Sequence, residues 1–270
     1  MFNVIRNMKR YMKIYSICFK NSIMAQMEYR FNFLLACAVQ LAFMLIKATY
    51  AIVVQSVGVS INGVSPDEML IFIGTYSALS GVYMTFYYLN FFRIPFLVRN
   101  GELDMYIVKP ISTQFIISLE RVYIGYAMVS VPIGGAMVVM GWLRAEIAFN
   151  FINVFSYFAL TLCGMALAYS FFLILSLSAF WFISGDGLMR LGDMLWDFNN
   201  MPMIIYNQAI QLVGLFVIPV FLITNMGPLA VIGEISPMMV IWCIAAPLIL
   251  FCVQRIIWNR ALKRYSSASS

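Results

Sequence analysis

The residues best able to do chemical work lie in one segment, 91–113, which reads FFRIPFLVRNGELDMYIVKPIST. Asn100-Gly101 is a turn signal, and Glu102 and Asp104 stand among Arg93, Arg99 and Lys109. Pro95 and Pro110 bracket the piece. A proline interrupts the helical hydrogen-bond ladder, so neither flanking helix is expected to run cleanly through it. A compact, turn-delimited helix of mixed charge suits docking into a groove on a soluble protein; a solvated loop with basic anchors would read the same way. The chemistry on offer is ion pairing and hydrogen bonding, not bond making. The chain has no histidine, which removes the usual general base and the commonest metal ligand. Its cysteines, Cys18, Cys37, Cys163, Cys243 and Cys252, are scattered singly in apolar stretches and read as buried thiols. No catalytic residue and no metal site is expected.

The elements that hold this segment are set by composition. Of 270 residues, 63% are apolar and 10% charged, against roughly 45–50% and about 25% in soluble domains. So little polar surface cannot cover a water-soluble fold, whereas a bilayer takes apolar area as its outside. The expected fold is all-α and integral to the membrane, with six transmembrane helices. Apolar runs of about 20 residues, long enough to cross the hydrocarbon core, place them near Phe31–Val57, Met69–Asn90, Phe115–Leu143, Phe149–Phe182, Ile204–Ile223 and Met238–Ile257. The fourth is too long for one upright helix, so it is tilted, kinked or extended into water. The chain divides into an amphipathic lead-in over 1–30, a six-span domain over 31–257 that contains segment 91–113, and a tail over 258–270.

Orientation follows from the cations. Fifteen of the 17 Lys and Arg fall before span 1, between spans 2 and 3, between spans 4 and 5, or in the tail; Arg144 and Lys47 are the others. The outer charges are mostly acidic: Asp67, Glu68, Glu146 and Glu234. Both termini are therefore expected in the cytoplasm, which requires an even number of spans. The net charge of +6 belongs to a membrane surface on this reading and does not call for nucleic acid. Residues 1–30 lack the pattern of a cleavable signal peptide. Met1, Val4, Ile5, Met8, Tyr11, Met12, Tyr15, Cys18 and Phe19 share one helical face, and Arg6, Lys9, Arg10, Lys13 and Lys20 the opposite one. Such a helix lies in the interface, its cations toward anionic lipid headgroups.

Charges inside a span are costly and informative. Lys47, in the outer half of span 1, is the one clear case. Either its stem lies along the bundle while the ammonium reaches the outer interface, or it lines an inter-subunit path where it meets an anionic group. No carboxylate falls at mid-span, which speaks against a proton-coupled carrier. Glu120 and Arg121 are expected to anchor the start of span 3 at the interface.

The chain resembles the permease subunit of bacterial type-2 ATP-binding-cassette exporters, within the family in which two different permeases are served by one ATPase. The resemblance is carried by 29–35 (YRFNFLL), 98–110 (VRNGELDMYIVKP), 180–182 (FWF), 200–206 (NMPMIIY), 217–219 (VIP), 227–230 (GPLA) and the ending 264–270 (RYSSASS). These stretches span most of the chain in the family's order, and Gly101-Glu102-Leu103-Asp104 followed by Lys109-Pro110 is the most specific; the family has arginine where Lys109 stands. The resemblance implies a coupling helix in segment 91–113, with Arg99, Gly101, Glu102, Leu103, Asp104 and Lys109 meeting a cytosolic ATPase and Leu103 as apolar anchor. It implies two ATPase copies that carry ATP and magnesium, and a second permease, different or identical. It implies short helices re-entering the membrane between spans 5 and 6, and a bacterial plasma membrane location with membrane lipids as neighbours. The substrate it implies is amphiphilic: a lipid, lipopeptide, antimicrobial peptide or drug moved outward. An uncoupled channel and a toxin-binding immunity subunit are the other readings open to such a chain.

Overall fold

The computed structural model describes residues 2–182 and 186–265. Helix α1 (Phe2–Glu28) is followed by α2 (Arg30–Val57), and the helical path breaks at Tyr29, where φ is −100° and ψ 59°. Helix α3 (Pro66–Arg99) starts with Pro66 in its first turn and a capping box. In that box Glu68 N donates to Ser65 Oγ at 3.2 Å and Ser65 N to Glu68 Oε2 at 2.7 Å, satisfying two donors that a helix start leaves open. Then come α4 (Asp104–Ile107), α5 (Thr113–Leu119), α6 (Ile124–Arg144), α7 (Phe151–Phe180) and α8 (Asp186–Asp197). The last are α9 (Gln208–Val217), α10 (Phe221–Thr224), α11 (Met226–Val231) and α12 (Pro237–Arg264). Five of these, α2, α3, α6, α7 and α12, are long and apolar enough to cross a membrane.

The most enclosed of the five is α3, which packs antiparallel to α6 through small residues, Gly74 and Gly81 on one and Ser130, Gly134 and Gly141 on the other. A methyl group at Gly74 would sit 2.6 Å from the Gly134 carbonyl, and one at Gly141 2.8 Å from the Asp67 carbonyl. Only glycine permits backbones this close, and the tight seam is packed like a protein interior rather than like lipid.

Contacts give the direction of every long helix. Helix α2 runs with α6, since Cys37 lies at Gly125 and Gln40 donates to Ser130 Oγ. Helix α7 runs with α3: the Thr75 and Tyr157 hydroxyls meet at 2.7 Å, and the Tyr83 and Phe172 rings at 4.9 Å. Helix α12 runs with α7, as Gln114 bridges Tyr169 and Gln254, and Phe180 meets Tyr265 further down. Because α7 and α12 point the same way, the chain must climb back between them. The climb is made by α8. Tyr88 donates to Asp193 at 3.2 Å, Trp196 Nε1 to Ser80 at 3.1 Å, and Lys47 to Asn200, so α8 rises against the descent of α3. It delivers the chain to Ile204, whose carbonyl takes a 2.7 Å bond from Asn62 in the loop between α2 and α3.

This corrects the expected fifth span. Residues Ile204–Ile223 form no continuous helix but the descending arm of a hairpin. A methyl at Gly164 would lie 2.1 Å from the Ile223 carbonyl, and one at Gly227 3.1 Å from that of Tyr157. Going from Ile223 to Gly227 the chain therefore climbs back along α7, and Val231 ends beside Ile71 and Trp142. Between this ascent and α12 the chain runs through three short helices, α9, α10 and α11. The ascending segment carries Arg190, Asp193 and Asp197 and its α-helix is 12 residues long, so it is not among the five helices long and apolar enough to cross a membrane. Asp193 and Asp197 stand in this ascending segment, where Asn200 receives Lys47.

Two boundaries also differ. Helix α3 continues through Pro95 to Arg99, with a π turn at Met84–Tyr88 about two turns before the proline. The third span opens at Ile124 instead of Phe115, because 120–123 forms a non-helical elbow between α5 and α6.

Candidate functional site

The end at which Arg99, Lys109, Arg121 and Arg264 gather, here called the basic end, carries the turn singled out in the sequence. After Arg99 the chain reverses at Gly101, whose φ of +71° is cheap only for glycine. Leu103 N then donates back to the Leu97 carbonyl at 3.2 Å, and Tyr106 N to that of Leu103 at 2.9 Å. The Leu103 side chain is fully buried within the chain, so it is not available as an outward apolar anchor. The outward residues are Met105, Ile107 and Val108, with Val108 80% exposed. Gly101, Glu102 and Asp104 are half-buried, while Arg99 and Lys109 are exposed. The six residues picked from the sequence are therefore brought to one turn, with Leu103 as its inner support.

Behind the turn sits a three-way contact that the sequence did not disclose. Arg93 Nη1 meets Glu120 Oε2 at 2.8 Å, Arg93 Nη2 donates to the Tyr106 hydroxyl at 2.9 Å, and that hydroxyl donates to Glu120 Oε2 at 2.8 Å. Lys109 Nζ lies 4.4 Å from the centre of the Tyr106 ring, within cation–π range. Burial, then the neighbouring Glu120 carboxylate, pushes the Tyr106 hydroxyl above its ordinary pKa. The pair is partly buried, and charge-assisted bonds of this kind are stronger than neutral ones. Glu120 is thus an internal partner of Arg93 in addition to standing at the interface. The triad joins the last turns of α3 and helix α4 to the elbow that opens α6.

The elbow is pinned from the other side too. Asn90 donates from Nδ2 to the Arg121 carbonyl at 2.7 Å and accepts the Arg121 N–H at 3.1 Å. Thr85 Oγ1 donates to the Tyr123 carbonyl at 3.2 Å and accepts from Ala127 N at 3.0 Å. Both residues flank or occupy the π turn of α3. Helix α1 completes the assembly along α5. Arg10 donates to the Pro110 carbonyl, Tyr11 accepts the Ser112 N–H at 3.1 Å, and its ring meets Phe115 edge-on at 4.8 Å. Ser22 and Gln26 reach the elbow backbone at Glu120 and Val122.

The expected lead-in helix is present as α1. Tyr11, Tyr15, Cys18 and Phe19 pack toward the protein, while Met8 and Met12, 59% and 63% exposed, point outward. Lys9, Lys13 and Lys20 are exposed. Arg10 is exposed as well and donates to the Pro110 carbonyl. The side chain of Arg6 lies outside the described residues, as do 266–270 of the terminal stretch.

Helix α8 has two unlike faces. Met189, Gly192, Trp196 and Asn199 are buried at helical spacing, with Trp196 stacked on Tyr83 at 4.3 Å. Arg190, Leu191, Met194 and Asp197 are exposed, and Asp193 is half-buried. Lys47 of α2 joins this seam. Its ammonium bonds Asn200 Oδ1 and sits 4.8 Å over the Tyr76 ring, while Asn200 Nδ2 reaches Asp197 at 3.4 Å. At the top of α8, Thr224 and Asn225 bond Asn199 at 2.8 and 3.4 Å, and Asn225 also caps Met203 N at 2.8 Å. This buried polar cluster fastens the re-entrant hairpin to α8. Asp193, Asp197, Asn199 and Asn200 were missed in the sequence. The signal that could have found them was the 3- and 4-residue recurrence of Met189, Gly192 and Trp196 in a segment too polar to count as a span.

Among the described residues no cluster of three or more His, Cys, Asp or Glu could hold a metal ion. No curated protein and no solved structure matches the chain. A family model described as ABC-2 family transporter protein does, over residues 36–269, so nearly every element above falls inside one match. The chain therefore belongs to the ABC-2 family of transporter proteins, and is a multi-pass membrane permease of an ABC transporter whose ATP-binding cassette is supplied by a partner.

Proposed function

We propose that this permease works as an exporter subunit, carrying an amphiphilic substrate outward between itself and a second permease. The observation that carries this is the seam on α8 and α2. A helix that shows Asp197 to its surroundings at the level of Lys47 is poorly suited to lipid, since an exposed charge at mid-bilayer costs about 2.5–3.5 kcal/mol or more. A second permease and a wet path between the two remove that cost. The exposed leucine and methionine beside the charges suit a substrate that is itself part polar and part apolar.

Energy enters, on this proposal, at the turn 99–109. Two copies of a cytosolic ATPase, holding ATP and magnesium, dock on the two permeases from the basic end, which faces the cytoplasm. Glu102, Asp104, Arg99 and Lys109 make the polar contacts, and Met105, Ile107 and Val108 the apolar ones that Leu103 cannot make. The Arg93–Tyr106–Glu120 triad then passes displacement of the turn to the elbow and to α6. The lipid, lipopeptide, antimicrobial-peptide or drug identity of the substrate, and the bacterial plasma membrane as its site, rest on the resemblance of the sequence to type-2 exporters.

The test is purification from a native membrane followed by reconstitution. Copurification of an ATPase and a second permease, with outward flux that requires ATP, is the expected result. Flux without ATP would make the chain a channel, and toxin binding without flux an immunity subunit.

A further inference from the structure

A cavity of about 670 Å³ opens between α1, the first turns of α2 and the elbow 120–123. Its size is in the range of sites that take a drug-sized ligand. None of the transport path described above uses it, because Lys47 and α8 lie elsewhere on the molecule. Its lining is graded. Nearest the basic end are Asn21, Glu120 and Arg121; deeper, along α2 and the start of α6, are Phe33, Ala36 and Gly125. One end is ionic with both signs of charge, and the other is apolar. A cavity so divided matches an amphiphile standing in the leaflet beside α1, headgroup toward the basic end.

The two charges are presented in different ways. Glu120 receives Arg93 and Tyr106 on Oε2, which leaves the lone pairs of its other oxygen outside the triad. Arg121 has its backbone clamped on both sides by Asn90, while its exposed side chain makes no bond seen among the described residues. A wholly anionic headgroup would meet Glu120 unfavourably. A quaternary ammonium has no N–H to give to Glu120 or to the amides of Asn21 and Asn32. A primary ammonium has three, and a phosphate accepts the guanidinium fork.

We propose that this cavity binds one ethanolamine phospholipid from the leaflet at the basic end, its phosphate on Arg121, its ammonium on Glu120 and its upper acyl chain along Phe33 and Ala36. The bound lipid touches the same carboxylate that anchors the triad behind the turn, so its occupancy bears on how firmly the elbow is held.

The experiment is native mass spectrometry of the intact permease, reconstituted in vesicles of phosphatidylcholine containing equal parts of phosphatidylethanolamine and phosphatidylglycerol. Retention of one phosphatidylethanolamine per chain is expected. Arg121→Gln lowers that retention about tenfold, the usual effect of losing a charged hydrogen bond. Ala36→Trp fills the apolar end and lowers retention without touching the triad, which keeps the result readable if Arg121→Gln folds poorly. Equal retention of phosphatidylcholine, preference for phosphatidylglycerol, or unchanged retention in Ala36→Trp would overturn the proposal. The readout is binding alone, so its failure leaves the exporter reading standing.

Discussion

The Tyr88 hydroxyl reaches the Asp193 carboxylate at 3.2 Å, which sets the last residue of the π turn in α3 beside an acid of the ascending helix. The bond joins two irregular features, a widened helical turn and a charged helix, at one level of the bundle. Tyr88→Phe would leave a half-buried carboxylate short of a donor, a loss of about 1–3 kcal/mol. Thermal unfolding in detergent should show a lower midpoint for Tyr88→Phe than for Asp193→Asn, since the amide still accepts the hydroxyl. Equal midpoints would mean that the bond contributes nothing.

The triad behind the turn predicts a separation of activities. Glu120→Gln and Tyr106→Phe should each leave ATP hydrolysis by the assembled complex near normal while transport falls about tenfold or more, as expected where a hydrogen-bonded charge pair at a contact is broken. The double variant Glu102→Lys, Asp104→Lys should do the same from the outer face of the turn. Parallel measurement of hydrolysis and flux in proteoliposomes decides it. Normal flux in the double variant would remove the turn from the coupling path.

The raised pKa of Tyr106 gives a sign for alkaline pH. Its neutral form is favoured in the folded chain, so the folded state holds the phenolic proton more tightly than the unfolded state above about pH 10. The associated stability is fully present below that value and is lost as pH rises through the folded pKa. Tyr265 adds in the same direction, because burial and the Asp104 carboxylate raise its pKa too. The unfolding midpoint should be flat through neutral pH and fall above about pH 10, less steeply in Tyr106→Phe.

Two neighbouring glycines in α6 should behave oppositely. A methyl at Gly134 would lie 2.6 Å from the Gly74 carbonyl and 2.7 Å from Ala78 N, whereas one at Gly135 meets nothing within 4 Å. Gly134→Ala should push α3 and α6 apart at a cost of about 1–3 kcal/mol or more. Gly135→Ala should be neutral or stabilise by up to about 1 kcal/mol through helix propensity. Paired thermal melts test both.

Lys47 supplies a transport prediction. Lys47→Met keeps the stem length but removes the bond to Asn200, and flux should change while expression does not. Unchanged flux would confine Lys47 to a structural role between α2 and α8.

What could be read from the sequence followed the cost of burying polar groups. The runs in α2, α3, α6, α7 and α12 were legible because each is apolar over the length of a bilayer, and the basic end because cations cluster on one side of them. The turn at Gly101 was legible because few residues tolerate its backbone. The stretch from Asp186 to Val231 was not, since composition cannot tell an apolar run that crosses from one that dips and returns. Pro219, with Gly214 packed against Phe221, gives the hairpin its reversal, and Asn225 secures it by long-range bonds. The partnership of Arg93, Tyr106 and Glu120 depends on α5 folding back beneath α3, which no local pattern announces.

The shortness of α8 has a consequence for the chain that follows it. Its 12 α-helical residues rise about 18 Å, and the following three-residue 3-10 turn adds about 6 Å, short of the roughly 30 Å hydrocarbon slab. The rest of the ascent is left to the stretch between Asn200 and Ile204, whose carbonyl bonds Asn62 in the loop between α2 and α3, so this flank of the bundle is finished by chain whose polar backbone groups must find partners outside a regular helix.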